Sequence, residues 1–191
     1  MEYVVHRMQV PDWGVVPAVE LHHTGWLAPC AVSARAQACH NGDALFLRME
    51  ASEPHIRAEL TGPLDQVCDD SCLEFFFAPL PGDRRYFNFE CTPLGPLYLG
   101  FGAQRSTRVR QIVRDPGMFR IHPFAAGGSW GVTLQIPGDF IRLYMPEFDF
   151  SGRAAGNFYK CGDKTVVPHY PPWSIPTCRT PDFHHRKVFG V

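Results

Sequence analysis

The sequence lacks a long apolar run and an excess of charge of one sign. Its 191 residues contain 18 Lys and Arg against 19 Asp and Glu, a formal net charge of -1. Nucleic acids and anionic membranes require clustered Lys and Arg, so we expect no nucleic-acid partner. No apolar stretch is long enough to span a bilayer, and we expect no membrane insertion. The opening residues, MEYVVHRMQVPDWG, also lack the apolar segment of a signal peptide.

The cysteines show no regular spacing. There are seven, an odd number, and this argues against a fully paired disulfide framework and favours reduced thiols. Reduced thiols indicate the cytoplasm by default, although the mature part of an exported protein would have the same features, so the location stays open. Cys68 and Cys72 have no second Cys or His pair at zinc spacing, and no zinc centre is predicted.

Long helical segments are also absent, because 17 Gly and 18 Pro interrupt the chain almost everywhere. Short apolar stretches between turn residues predict a single all-β domain over residues 1–191, an antiparallel β-sandwich. Short helical turns are predicted at Asp139 or Pro63, and the last forty residues are predicted to be mostly loop that wraps a sheet. The predicted strands cover residues 31–38, 44–50, 71–77, 86–91, 97–101, 108–113 and 130–136.

One predicted hairpin carries most of the functional information. The segments SCLEFFF (71–77) and YFNFEC (86–91) flank a Pro-Gly-Asp turn. Side chains alternate between the two faces of a strand, so Leu73 and the phenylalanines at odd positions share the face that must be the core. The opposite face mixes rings, an amide and two carboxylates, which is typical of a binding surface. Its members are Glu74, Phe76, Tyr86, Asn88 and Glu90.

The register of this hairpin is left open by the sequence. In one register Glu74 lies opposite Glu90, a repulsive pair unless a cation or a basic side chain lies between them. A slip of two residues places Glu74 opposite Asn88. We predict a basic side chain, an ion or a hydroxyl-bearing ligand in contact with Glu74.

Several longer motifs follow one another in a fixed order. They are VCDDSCLEFFF (67–77), YFNFE (86–90), GFGAQRSTR (100–108), WGVTLQIP (130–137), NFYKCGD (157–163), PHYPPW (168–173), PDFH (181–184) and FG (189–190). From about Trp26 to the C-terminus, this order resembles family 9-like carbohydrate-binding proteins. The resemblance implies an immunoglobulin-like or DOMON-like sandwich, related to the sugar-binding modules of xylanases. The chain departs from the family pattern at WSIP (173–176) and at HHR (184–186).

The resemblance implies non-catalytic binding of a mono- or oligosaccharide, in polysaccharide breakdown or uptake. Association with a glycoside hydrolase follows from it as a hypothesis. No cofactor is predicted, but modules of this type can carry structural calcium. Asp69 and Asp70 offer the hard oxygen ligands that calcium prefers.

A sugar site needs an aromatic platform and planar hydrogen-bonding groups, because a pyranose has an apolar C–H face and a rim of hydroxyls. Trp173, which follows two prolines, is the candidate platform, and Trp26 is a second candidate wall; packing is the alternative for both. Lys160 is predicted to face the cleft while Phe158 and Cys161 alternate inward. The full set of predicted ligand-binding residues is Arg57, Glu74, Asn88, Arg105, Arg108, Lys160, Trp173 and His184, with structural ion pairing as the alternative for the arginines.

Two other functions are weighed against sugar binding. Glu74 and Glu90 could serve a glycoside hydrolase as acid and as nucleophile or base, if their carboxyl groups flank a glycosidic bond. No further catalytic motif accompanies them. Haem binding would need axial ligands across an apolar pocket, and the methionines show no such pairing with histidine.

Overall fold

The computed structural model describes residues 1–22, 31–62, 64–174 and 183–184. These residues form eleven strands and one short α-helix, with two 3-10 turns at Val67–Asp69 and Pro116–Phe119. The helix α1 spans Gly138–Arg142, at the predicted helical turn. The strands are β1 (His6–Arg7), β2 (Val19–Leu21), β3 (Ser33–His40), β4 (Ala44–Ser52), β5 (Cys72–Ala78), β6 (Tyr86–Cys91), β7 (Leu97–Gly102), β8 (Val109–Arg110), β9 (His122–Ala126), β10 (Ser129–Pro137) and β11 (Ala155–Cys161).

The strands form two sheets, which confirms the predicted β-sandwich. One sheet has the order β1-β3-β4-β10-β9, with β2 also paired to β3, and the other has the order β11-β5-β6-β7-β8. The pairings are antiparallel except that of β1 with β3, which is parallel. Among the described residues, no helix is long and apolar enough to cross a membrane.

The hydrophobic core lies between the two sheets. Phe75 and Phe89 of the second sheet pack in one cluster with Leu47, Met49 and Val132 of the first. These positions follow the period of two that places alternate side chains on one face. The described cysteines, Cys39, Cys68, Cys72, Cys91 and Cys161, are free thiols, as the irregular spacing predicted.

Two parts of the sequence prediction are wrong. The first error is a missing strand: the last forty residues, predicted to be mostly loop, contain β11, an edge strand of the second sheet. Its sequence AGNFYKC hides the strand because polar side chains are buried on both of its faces, so no apolar alternation is visible. The predicted strand 108–113 is only β8, while β9 contains Pro123, a residue that argues against a strand. Pro63, the other candidate helical turn, lies outside the described residues.

Candidate functional site

The face of the second sheet that points away from the core, hereafter the outer face, carries the predicted polar residues. The register pairs Glu74 with Glu90, so the structure selects the first of the two predicted registers. Tyr159 of β11 lies beside Glu74, and Tyr98 of β7 lies beside Glu90. A row of two acids between two tyrosines therefore crosses four strands. The next row contains Asn157, Phe76, Asn88 and Gly100.

The outer face is covered and is not an open surface. Glu74 and Glu90 are 2% and 4% exposed, and Asn88 is fully buried. Phe183 packs against two groups of side chains on the outer face and adds another aromatic ring to them. The first group contains Phe76, Ala78, Tyr86 and Tyr159, and the second contains Val67, Cys72, Tyr98 and Cys161.

A hydrogen-bonded network joins the polar groups. The Cys161 thiol donates to Glu74 Oε1 at 2.7 Å, and the Asn88 amide donates to Glu74 Oε2 at 3.5 Å. Arg108 donates to Asn88 Oδ1 and lies 3.8 Å from Glu90 Oε1. The expected basic side chain is thus present, but it approaches Glu90, while a thiol and an amide contact Glu74.

Arg108 reaches the acids because the outer face of β7 carries glycine. A Cβ at Gly100 would lie 3.3 Å from Arg108 Cδ, and one at Gly102 would lie 2.6 Å from Arg108 Cα. Without those atoms the guanidinium crosses β7 and lies 5.0 Å from the centre of the Tyr98 ring. Arg110 stacks on the same ring at 4.0 Å. Two cations and one ring therefore border the acid pair on the β8 side.

Burial dominates the electrostatics of the acid pair. Burial raises the pKa of Glu74 to about 7, against the opposing effects of the Cys161 hydrogen bond and the Arg108 charge. Burial, and then the facing Glu74, raise the pKa of Glu90 well above its ordinary value. No hydrogen-bond donor among the described residues reaches Glu90 Oε2, although this atom is buried. A buried acceptor without a donor is costly, so it favours a ligand that donates.

His184 lies at the other end of the outer face. Its Nδ1 is 2.6 Å from the Tyr86 hydroxyl, and its ring lies edge-on to Phe76 at 5.0 Å. Burial, with the charges of Arg108 and Arg105, lowers the pKa of His184 to about 3, so the imidazole is neutral at physiological pH. Arg105 itself is exposed, at the rim of the site.

Lys160 does not lie on the outer face. Its register partner is Leu73, so the side chain points into the sandwich, and it is fully buried. Its Nζ lies 3.2 Å from Glu53 Oε1 and 2.7 Å from His169 Nε2. The predicted alternation is therefore wrong: Phe158 and Lys160 face inward and Cys161 faces outward.

Trp173 also lies away from the acid pair. It is 8% exposed, belongs to the main core and packs near Phe158, with ring centres 6.3 Å apart. Its backbone N–H donates to the Phe158 carbonyl at 2.9 Å, which holds the loop against β11. It lines a cavity of about 300 Å³ together with Phe75 and Tyr3. Trp26, the second predicted wall, lies outside the described residues.

Arg57 and the two candidate calcium ligands form a local structural network. Arg57 pairs with the buried Asp70 and with Glu59. Asp70 Oδ2 also accepts from the backbone N–H groups of Glu59 and Leu60, so its carboxylate has protein partners on both oxygens. Asp69 pairs instead with Lys164 at 2.7 Å. The two aspartates therefore point to different partners and do not form one oxygen-lined site.

Sequence reasoning missed several outer-face residues. Asn157, Tyr159 and Cys161 were missed because β11 was not predicted. Side chains alternate along a strand, so once Phe158 is assigned to the core these three residues must lie on the outer face. Tyr98 was missed although 97–101 was predicted as a strand, since its position beside Glu90 depends on the β6–β7 register.

Comparison with known proteins agrees with the fold. A protein from Bacteroides uniformis ATCC 8492, to which carbohydrate binding has been ascribed, is 29% identical with a TM-score of 0.79, over 99% of this chain and 94% of that one. A family 9 carbohydrate-binding module from Caldicellulosiruptor kristjanssonii, solved with glucose, is 12% identical with a TM-score of 0.63, over 98% and 92% of the two chains. Its complex with cellotriose gives a TM-score of 0.61 at 12% identity, over 99% and 89%. No curated protein matches.

The fold is a β-sandwich of the kind found in these carbohydrate-binding modules. The sequence profile of carbohydrate-binding family 9 matches residues 16–191, and the chain belongs to this family. Its function is non-catalytic carbohydrate binding.

Proposed function

We propose that the outer face is the sugar site, with Glu74, Asn88, Glu90 and Arg108 as the groups that bind hydroxyls. The observation that carries this proposal is the buried, unpartnered Glu90 Oε2 beside Arg108. A sugar hydroxyl that donates to this oxygen and accepts from the Arg108 guanidinium would satisfy both groups. Paired interactions of this kind give a carbohydrate site its specificity.

Aromatic rings provide the second requirement of a sugar site. Tyr98 and Tyr159 flank the acid row, and Tyr86 and Phe76 lie one or two rows away. A pyranose stacks its C–H face on such rings while its hydroxyls reach the polar groups. The rings replace Trp173 as the proposed platform. His184, neutral and adjacent to Tyr86, and Arg105 at the rim are proposed as secondary contacts.

The choice of sugar rests on the structural relatives. The C. kristjanssonii module was solved with glucose and with cellotriose. We therefore propose glucose and short β-glucans as the first ligands to test. Glu74 and Glu90 are assigned to hydrogen bonding and not to hydrolysis, because the family is one of binding modules.

The wider role is proposed from the same family membership. Residues 1–191 act as one module, since both sheets contribute to a single core. Such a module would hold a glycoside hydrolase close to its polysaccharide. Co-sedimentation of the chain with insoluble cellulose, with and without soluble glucose as competitor, tests whether the module binds a polysaccharide.

Calorimetric titration with glucose and cellotriose tests the site. We expect Kd values from about micromolar to millimolar, because a few stacked and hydrogen-bonded contacts only modestly exceed the ordering cost. Glu90→Gln keeps the shape of the side chain but replaces an acceptor with a donor, and it should weaken binding by about tenfold or more. The matched control is Glu50→Gln in the first sheet, where Glu50 pairs with Arg35 and Arg48.

Thermal melts of both variants show whether the fold is intact. A folded Glu90→Gln variant that binds as tightly as the parent protein would move the site away from the outer face. Equal weakening in the Glu50→Gln control would mean that the change is not specific to this face.

A further inference from the structure

Three cysteines from distant parts of the sequence meet at one end of the outer face. Cys72 begins β5, Cys161 ends β11, and the register places them directly opposite each other. Cys68 lies in the 3-10 turn that precedes β5. All three pack in one cluster with Val67 and Tyr98. The fold therefore gives Cys68 and Cys72 the third thiol that sequence spacing alone did not reveal.

A carboxylate completes this group. The Cys72 and Cys161 sulfurs and a Glu74 carboxylate oxygen all lie within 4.8 Å of one another, and all three residues are buried. A second group leads from these residues towards solvent. It contains Cys68, Asp69 and Asp163, with ligand atoms also within 4.8 Å of one another, and Asp163 is exposed.

The donor chemistry favours a soft divalent metal. Thiolates select zinc over calcium and magnesium, and zinc in proteins is usually four-coordinate with sulfur, nitrogen and carboxylate ligands. Buried cysteines often serve only as small apolar residues. Simple apolar packing does not account for a buried carboxylate beside the two thiols, with the Cys161 sulfur 2.7 Å from Glu74 Oε1.

We propose that Cys72, Cys161 and Glu74 bind a zinc ion. Cys68, which packs against the same cluster from the neighbouring group, is the candidate for the fourth ligand. Each coordinating thiol loses its proton to solvent, so zinc uptake releases protons. The ion would link the start of β5 to the end of β11 and would neutralise part of the acid pair. The proposal does not rest on sugar binding, although Glu74 belongs to both sites.

Cobalt titration of the reduced, metal-free chain tests the proposal. The seven thiols are first confirmed to be free by a thiol assay. One Co²⁺ per chain should then bind, with the thiolate-to-cobalt charge-transfer absorption and the intense visible bands of a tetrahedral site. Added Zn²⁺ should bleach these bands by displacing the cobalt.

The variants locate the ligands. Cys161→Ala and Cys72→Ala should each lose most of the charge-transfer intensity and weaken cobalt binding by about tenfold or more. Cys39→Ala is the control, because Cys39 is a buried thiol of β3 in the other sheet. It should leave the spectrum unchanged. Circular dichroism of each metal-free variant checks the fold.

The zinc site would be overturned by any of three outcomes, two from the spectra and one from the thermal melt. The first is a wild-type chain with seven free thiols that shows no thiolate–cobalt band. The second is a band that survives in both folded variants, Cys72→Ala and Cys161→Ala. If a ligand variant does not fold, zinc must still raise the melting temperature of the wild-type chain, and a melt that zinc does not change counts against the site. Glucose titration of the metal-free wild type reports on the sugar site separately.

Discussion

Glu74 and Glu90 face each other across two strands with almost no access to water. In such a pair the first proton lost makes the second harder to remove, so the two carboxyl groups titrate together. Arg108 and Arg110 lower the pKa of Glu90 but do not cancel the effect of burial. The pair therefore changes its charge near neutral pH.

Sugar binding should depend on pH for this reason. An ionised carboxylate accepts a hydroxyl hydrogen bond more strongly than a protonated one. The pKa of Glu74 is raised to about 7, so the affinity should fall as the pH is lowered through that value, by on the order of tenfold between about pH 8 and 5. Calorimetry over this range measures the change. Glu74→Gln should bind more weakly, and its affinity should fall at a lower pH, because the facing charge that helps to raise the pKa of Glu90 is gone. A flat profile in the parent chain would contradict the prediction.

Ionisation of Glu74 also lowers the stability of the sugar-free protein. Glu74 ionises at a higher pKa in the folded chain than its ordinary value of 4.5. The folded state therefore binds the proton more tightly, and this contribution to stability is complete below about pH 4.5 and is lost as the pH rises through 7. An acid kept here at a cost in stability is consistent with a binding role.

At the residue scale, strand parity alone was sufficient to predict that Glu74, Asn88 and Glu90 share a face. The alternation of side chains requires only that the segment is a strand, and the Pro-Gly-Asp turn between two apolar segments predicted both strands. The role of Arg108 could be proposed but its contacts could not, because its reach depends on the absence of a Cβ at Gly100 and Gly102.

At the scale of elements, β11 contributes to two environments. Tyr159 and Cys161 point to the outer face, and Phe158 and Lys160 point to the core. Lys160 pairs with Glu53, whose Oε1 also accepts from the Trp130 indole N–H at 2.6 Å. A sequence pattern cannot reveal this arrangement, because a buried lysine is identified only when its partners from other strands are known.

Replacement of Lys160 should therefore reduce stability and not sugar affinity. Lys160→Met leaves the buried Glu53 carboxylate without its cation, and loss of one partner of a buried pair costs roughly 3–5 kcal/mol of unfolding free energy. Urea unfolding measures the change. Lys164→Met, which breaks an exposed pair with Asp69, is the control and should cost about 1 kcal/mol or less. A stable Lys160→Met chain that no longer binds sugar would return Lys160 to the site.

At the scale of the whole molecule, one core spans both sheets, and Trp173 closes it at the edge near β11. The motif order and the alternating strands were enough to predict the sandwich. The position of Trp173 was not predictable, because a tryptophan after two prolines can be held outward or inward with equal local ease. Contacts of its ring with Tyr3 and Phe158, together with the hydrogen bond from its backbone to Phe158, hold it in the inward position.

Truncation of Trp173 tests this assignment. Trp173→Ala removes a large core ring and should lower the unfolding free energy by roughly 3–5 kcal/mol, which lowers the melting temperature by on the order of 10 °C. The variant that stays folded should still bind sugar. Trp13→Ala, at a half-buried tryptophan near the N-terminus, is the comparison and should have a smaller effect. An unchanged melt together with lost binding would identify Trp173 as a sugar platform after all.

The cover over the outer face has a consequence for rates. Phe183 stacks on Tyr159 with ring centres 4.1 Å apart, and His184 contacts Tyr86, so these two side chains cover aromatic residues of the proposed site. On the proposed function, a sugar enters the site only after Phe183 and His184 move, so the observed association rate should level off at high sugar concentration. The same movement would be needed for release, so the proposed site should hold its sugar for longer than a shallow, open groove of equal affinity.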